Sequence, residues 1–145
     1  MTNDVADAES LVAQSPDAII FAGSDGMIRQ WNAAAERIFG FSADEAVGQS
    51  LDLIIPEAFR NAHWTNFDRA LSERATKYAG QSLPTRALTK AGGEIYVELS
   101  FAIVLGPGGE ALGALATARD ITERFNRDRE LRRELRALKE AAKQA

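Results

Sequence analysis

The chain has no cysteine, one histidine, four prolines and two methionines among 145 residues. Without a thiol, disulfides, thiolate-bound zinc, iron–sulfur clusters, thiolate-ligated haem and every cysteine nucleophile are excluded. One imidazole cannot build a multi-histidine metal site, so a metal held by it must bring its other ligands, as in a macrocycle. No run approaches the roughly 20 apolar residues of a membrane-spanning helix. The opening MTNDVADAES carries acids where a signal peptide has bases followed by an apolar stretch. The expectation is a cytoplasmic protein with no membrane contact.

What is present fits one folded domain with a helical extension: 46% of residues are hydrophobic and 26% charged. The formal charge of −4 is unevenly spread. Residues 121–145 hold eight bases against five acids, a balance of +3 that leaves −7 on the rest. A basic tail on an acidic body suggests nucleic acid, but these acids and bases interleave as on a solvated helix, which argues against it.

Residues 4–14 carry Val5, Ala8, Leu11 and Val12 at helical spacing, and Ser15-Pro16-Asp17 ends that amphipathic helix. An apolar run at 18–22, the turn signal Ser24-Asp25-Gly26 and a returning run at 27–31 predict a hairpin. Asn32 is the N-cap expected for a helix over 33–39, with Ile38 and Phe39 inward and Gly40 as C-cap. Ser42 followed by Glu45 is a capping-box signature for a second short helix, ended by Gly48. An apolar link at 51–55 leads to Pro56, placed in the first turn of a longer helix running to about Arg74.

The second half predicts strands at 83–89, 94–105 and 111–119, joined by turns at Ala91-Gly92-Gly93 and Gly106-Pro107-Gly108-Gly109. Ile95, Val97, Leu99, Phe101 and Ile103 alternate, so one face of the middle strand meets a core. The order predicts an α+β fold, a five-stranded antiparallel sheet with helices on one face. Beyond Asp120 two heptad seams run through Ile121, Asp128, Leu135 and Ala142, and through Arg124, Leu131, Leu138 and Ala145. They predict either a marginal two-stranded coiled coil or a helix lying on its own domain. The expected division is an N-terminal helix at 1–15, a domain at 16–120 and a C-terminal helix at 121–145.

Short motifs recur along this plan: Pro16-Asp17-Ala18-Ile19-Ile20, Asp25-Gly26, Trp31-Asn32-Ala33-Ala34-Ala35-Glu36, Phe39-Gly40-Phe41 and Glu45-Ala46-Val47-Gly48-Gln49. Leu53-Ile54-Ile55-Pro56, Lys90-Ala91-Gly92 and Arg119-Asp120-Ile121-Thr122-Glu123 follow. In this order and spacing the set resembles a PAS sensory domain across nearly the whole chain. The resemblance implies the PAS fold, a signalling role, and coupling to an output helix at Asp120 and Thr122. Both side chains can hydrogen-bond neighbouring backbone where the last strand becomes a helix.

Phe59, His63 and Phe67 are four apart, so on a helix the imidazole shares a face with two aromatics directed at the sheet. Residue chemistry alone favours a core histidine satisfied by one hydrogen bond. The segment from Pro56 to Arg69 is also similar to the haem-binding helix of FixL-type oxygen-sensor PAS domains: a Pro-Glu opening, an aromatic-Arg pair, a histidine, and an arginine six residues later. The resemblance implies b-type haem with His63 as the proximal iron ligand, Arg69 at a propionate, and Phe59 and Phe67 nearby. It puts Leu83 where that family has a distal arginine able to donate to bound oxygen, which leucine cannot do. Tyr78 and Arg86 are alternative polar groups, and Leu99 and Phe101, with Val97 beside them, are expected on the distal wall. Oxygen, carbon monoxide, nitric oxide and redox state all stay open as the signal.

Other readings compete. A PAS module with no cofactor could serve dimerisation or bind a small organic ligand, with His63 as packing and the heptads as the function. Flavin bound through a cysteinyl adduct is excluded, although Trp31 and Trp64 could flank a flavin held without one. No enzyme is expected: His63, Asp68 and Ser72 all fall on one helix without a nucleophile elbow, and the turn at 106–109 lacks the lysine of a phosphate loop. No kinase, cyclase or DNA-binding segment is expected within these residues, so the expectation is a sensor without an attached output or a fragment of a larger protein. The expectation is a homodimer through the terminal helices that signals to a partner protein or a fused output domain.

Overall fold

A computed structural model describes residues 5–77 and 80–144. Its strands are β1 (Ala18–Gly23), β2 (Ile28–Trp31), β3 (Leu83–Leu88), β4 (Glu94–Leu105) and β5 (Ala111–Asp120). They form one antiparallel sheet in the order β2-β1-β5-β4-β3, so the first and last strands in sequence meet at its centre. The helices are α1 (Ala8–Gln14), α2 (Ala33–Phe39), α3 (Ala43–Ala46), α4 (Arg60–Glu73) and α5 (Thr122–Gln144). The α+β architecture expected from the sequence is the one found.

Capping side chains set the first half. Asn32 is only 6% exposed, yet all its side-chain capacity is used. Its Oδ1 accepts from the backbone N–H groups of Ala35 (3.1 Å) and Ile19 (2.9 Å), and its Nδ2 donates to the carbonyls of Val12 (2.8 Å) and Asp17 (3.1 Å). One buried amide thus caps α2 and ties it to β1 and to the end of α1. Ser42 and Glu45 form both halves of a capping box on α3. Ile20, Ile28, Trp31, Phe39 and Val97 close the core between the hairpin, α2 and the sheet.

The approach to α4 departs from the expected helix over 56–74. Leu51–Ile54 and Glu57–Phe59 form separate 3-10 turns, and the α-helix begins only at Arg60. Ile55 precedes Pro56 and is extended (φ −103°, ψ 119°), as a residue before proline prefers. The Arg60 guanidinium then donates to the carbonyls of Ile55 (3.0 Å) and Asp52 (3.3 Å), holding this link as a loop. Smaller departures occur elsewhere. Met27 bridges to Ser50 instead of joining β2, β3 stops at Leu88, and α1 starts at Ala8 behind Asp7, which accepts from Ser10 N–H at 2.7 Å. Residue 4, where that helix was expected to begin, lies outside the described residues.

At the other end, Asp120 Oδ1 accepts from the Thr122 N–H (2.9 Å), and Thr122 Oγ1 accepts from the Tyr96 N–H (3.0 Å). Phe125 stacks on Tyr96 with ring centroids 3.9 Å apart, so the first turn of α5 is docked on β4. The expected apolar seam is not: Leu131, Leu135 and Leu138 are 53–68% exposed. A helix lying along its own domain is therefore ruled out for that seam. Among the described residues no helix is long and apolar enough to cross a membrane.

Candidate functional site

Side chains alternate along the strands, and one face of the sheet looks toward α4. On that face β4 presents Leu99, Phe101 and Ile103, β1 presents Ile20, β3 presents Leu83, and β5 presents only the small Ala114 and Ala116. The alanines leave room that α4 and the 51–55 link do not fill. The result is a cavity of 240 Å³ with an apolar floor. Its α4 side is made by His63, Phe67 and Ala70, and Asn66, Arg69 and Glu73 also border it.

His63 Nδ1 is buried and has no hydrogen-bond partner. An unpaired buried polar atom costs about 1–3 kcal/mol, and nothing in the fold offsets that cost at this nitrogen. Burial lowers the imidazole pKa below its usual 6.5, with the Asp52 carboxylate pulling the other way, and the ring is neutral at pH 7. Its neighbours are aromatic. Phe67 lies 5.9 Å away between centroids, and Trp64 meets it edge-on at 4.7 Å and 79°.

The structure brings six expected residues together around this space: His63, Phe67, Arg69, Leu83, Leu99 and Phe101. Leu83 pairs directly with Leu99 across β3 and β4. Two others are corrected. Phe59 belongs to the 3-10 turn before α4, out of phase with the helix, and is 38% exposed beneath the Arg86 guanidinium, 4.9 Å from its ring centroid. Val97 shares the face of Leu99 but is sealed in the packed core at 0% exposure. Arg86 is no distal group either, because it does not line the cavity and lies 3.6 Å from Glu94. Tyr78 lies outside the described residues.

The tryptophans do not flank the cavity. Trp31 is core, donating through Nε1 to the Phe41 carbonyl (2.9 Å), and Trp64 donates to Asp52 Oδ1 (2.8 Å). Asp68 and Ser72 are exposed and away from the cavity, so they make no triad with His63. Sequence reasoning missed Ala114 and Ala116, whose signal was the run of small residues in β5, and it missed Asp52, for which no local signal exists.

The donor set is narrow. Among the described residues no group of three His, Cys, Asp or Glu side chains could hold a bare ion. A bare ion would lack a three-ligand protein set here, and a metal bound through the imidazole would have to bring further bonds of its own, as in a macrocycle. A neutral imidazole, a largely carbon wall and an arginine at the border are the chemistry a b-type haem would use, while the 240 Å³ space would have to widen to admit one.

The chain forms a helix-covered cavity on a five-stranded antiparallel sheet, with a helix leaving the last strand. The family described as the PAS fold matches residues 12–126, and the chain belongs to it. A 54-residue stretch is 41% identical to sensor protein FixL of Bradyrhizobium diazoefficiens, covering 37% of this chain and 11% of that protein. The crystal structure of a PAS domain from Colwellia psychrerythraea superposes with a TM-score of 0.69 at 23% identity, over 79% of this chain and 94% of that one. An RNA-binding light-oxygen-voltage receptor gives 0.69 at 19% identity, over 93% of this chain and 40% of that one.

Proposed function

We propose that the cavity receives a b-type haem held by His63, and that the domain senses a diatomic gas or redox state there and signals through α5. The observation that carries this reading is the half-buried, neutral His63 imidazole bordering a cavity whose wall is otherwise made largely of carbon. A neutral imidazole would offer a lone pair to the iron, and an arginine would offset a carboxylate. His63 would be the proximal ligand, Phe67, Leu99 and Phe101 would pack on the ring, and Arg69 would meet a propionate. When bound, haem supplies an iron that can take up a gas or change oxidation state. The stretch that resembles FixL supports the reading in kind, being part of a sensor protein.

Leucine at position 83 donates no hydrogen bond, so the reading is of a diatomic-gas or redox sensor, without a preference for oxygen built at that position. Leu99 faces the cavity while Tyr96 on the same strand holds Phe125 of α5, so a displacement of β4 has a direct route outward. The bare seam of Leu131, Leu135 and Leu138 would pair two copies or engage a partner or fused output domain. A cytoplasmic sensor without enzymatic activity of its own completes the proposal.

One observation favours a second reading. The cavity's 240 Å³ falls below the roughly 300–1,000 Å³ of drug-sized ligand clefts. A compact organic molecule that packs against the His63 ring would fit it unchanged, whereas haem would need the cavity to widen. The absorption spectrum of protein purified from haem-replete cells separates the two. A Soret band supports haem, and a colourless protein that stays colourless after haemin is added overturns it.

A further inference from the structure

We propose that Trp64 is a positioning residue for His63, and that Asp52 and Gly26 hold Trp64 in place. The proposal rests on reading His63 as the ligand-binding group. A ligand imidazole is ordinarily oriented by a hydrogen bond from its second ring nitrogen. Nδ1 of His63 makes none. What fixes this ring is aromatic contact, edge-on with Trp64 at 4.7 Å and tilted against Phe67 at 5.9 Å.

Trp64 is itself held from several directions. Its Nε1–H donates to Asp52 Oδ1 at 2.8 Å, and its ring packs edge-on against Phe67 at 5.2 Å. Its six-membered ring lies on Gly26, where a Cβ would come within 2.5 Å of it. The supports are joined to one another. The Leu51 N–H donates to the Gly26 carbonyl (3.2 Å), the Ile28 N–H to the Gln49 carbonyl (2.8 Å), and the Gly48 N–H to the Ile28 carbonyl (2.8 Å). The hairpin turn and the segment bearing Asp52 are thus one stitched platform, and Trp64 transfers its rigidity to the imidazole.

Asp52→Ala and Asp52→Asn test this. Both remove the carboxylate charge that acts on His63, but asparagine keeps an oxygen to accept the indole N–H. The first readout is apo-protein NMR of the His63 ring protons, through their contacts with Trp64 and the shift its ring current imposes. The second is the haemin dissociation constant. Asp52→Ala is expected to lose the contacts, move the proton shifts toward solvent-exposed values and weaken haemin 10–100-fold. Asp52→Asn is expected to keep the contacts and bind within about threefold of wild type.

Trp64→Phe, which retains Asp52, serves where Asp52→Ala fails to fold, and it is expected to show the same two losses. Unchanged His63 signals in Asp52→Ala, or in Trp64→Phe where that variant replaces it, overturn the proposal, as does Asp52→Asn behaving like Asp52→Ala. A wild-type protein that shows the NMR pattern but takes up no haemin supports the positioning role and sinks the haem reading alone.

Discussion

His63 and Phe67 stand one turn apart on α4 with ring centroids 5.9 Å apart, and both border the cavity. The pairing keeps the imidazole in apolar surroundings and disfavours its protonation. The unfolded chain takes a proton near pH 6.5, while the folded chain resists it to a lower pH. Stability tied to His63 is therefore complete above pH 6.5 and declines as pH falls below it. Urea midpoints at pH 7.5, 6.5 and 5.5 should fall for wild type and change less for His63→Leu. Equal slopes in the two proteins would contradict the burial argument.

The same face of β5 separates cavity from core. Ala116 borders the open space, whereas Ala118, two residues on, is fully packed. Ala116→Leu should therefore fill the cavity, abolish ligand binding and leave the denaturation midpoint near wild type. Ala118→Leu should overpack the core and cost about 1–3 kcal/mol. Equal destabilisation by the two changes would mean that the cavity is not open to a side chain.

Two glycines with positive φ should respond differently to alanine. Gly26 (φ +78°) lies under the Trp64 ring, while Gly48 (φ +92°) has nothing within 4 Å of an added Cβ. Gly48→Ala meets only backbone strain, about 1–2 kcal/mol. Gly26→Ala adds a steric clash and should cost about 2–4 kcal/mol in all. Thermal or urea unfolding of both variants decides this, and equal losses would remove the close Trp64 contact.

The leucine seam of α5 is solvent-exposed in one copy of the chain. Sedimentation of wild type should show an associated species that Leu135→Gln with Leu138→Gln reduces to monomer, with circular dichroism of the domain retained. A monomer of unchanged size in both proteins would leave the seam to a different partner.

Much of this was legible because it is local. Asn32 and Ser42 announce themselves as caps through bonds to residues at most three positions away, and the alternation in β4 marks its buried face. The spacing of His63 and Phe67 also put both on the sheet-facing side of their helix, where the structure has them border the cavity. Phe59 escaped the same logic because the helix phase begins at Arg60, a boundary set by bonds from that arginine back to Ile55 and Asp52. Val97 and Leu99 are indistinguishable by alternation. Whether a strand residue meets core or open space depends on what packs over it from distant parts of the chain: Val97 joins the packed cluster with Ile28, Trp31 and Phe39, while Leu99 borders the cavity. The Asp52–Trp64–Gly26 support joins residues 12 and 38 positions apart and left no trace in local pattern.

The most direct test of the central claim is a haemin titration followed at the Soret band, run on wild type and on His63→Ala with and without free imidazole. The account predicts stoichiometric binding by wild type, at least tenfold weaker binding by His63→Ala, and recovery when imidazole occupies the vacated space. Equal uptake by both proteins, or none by wild type, would contradict it.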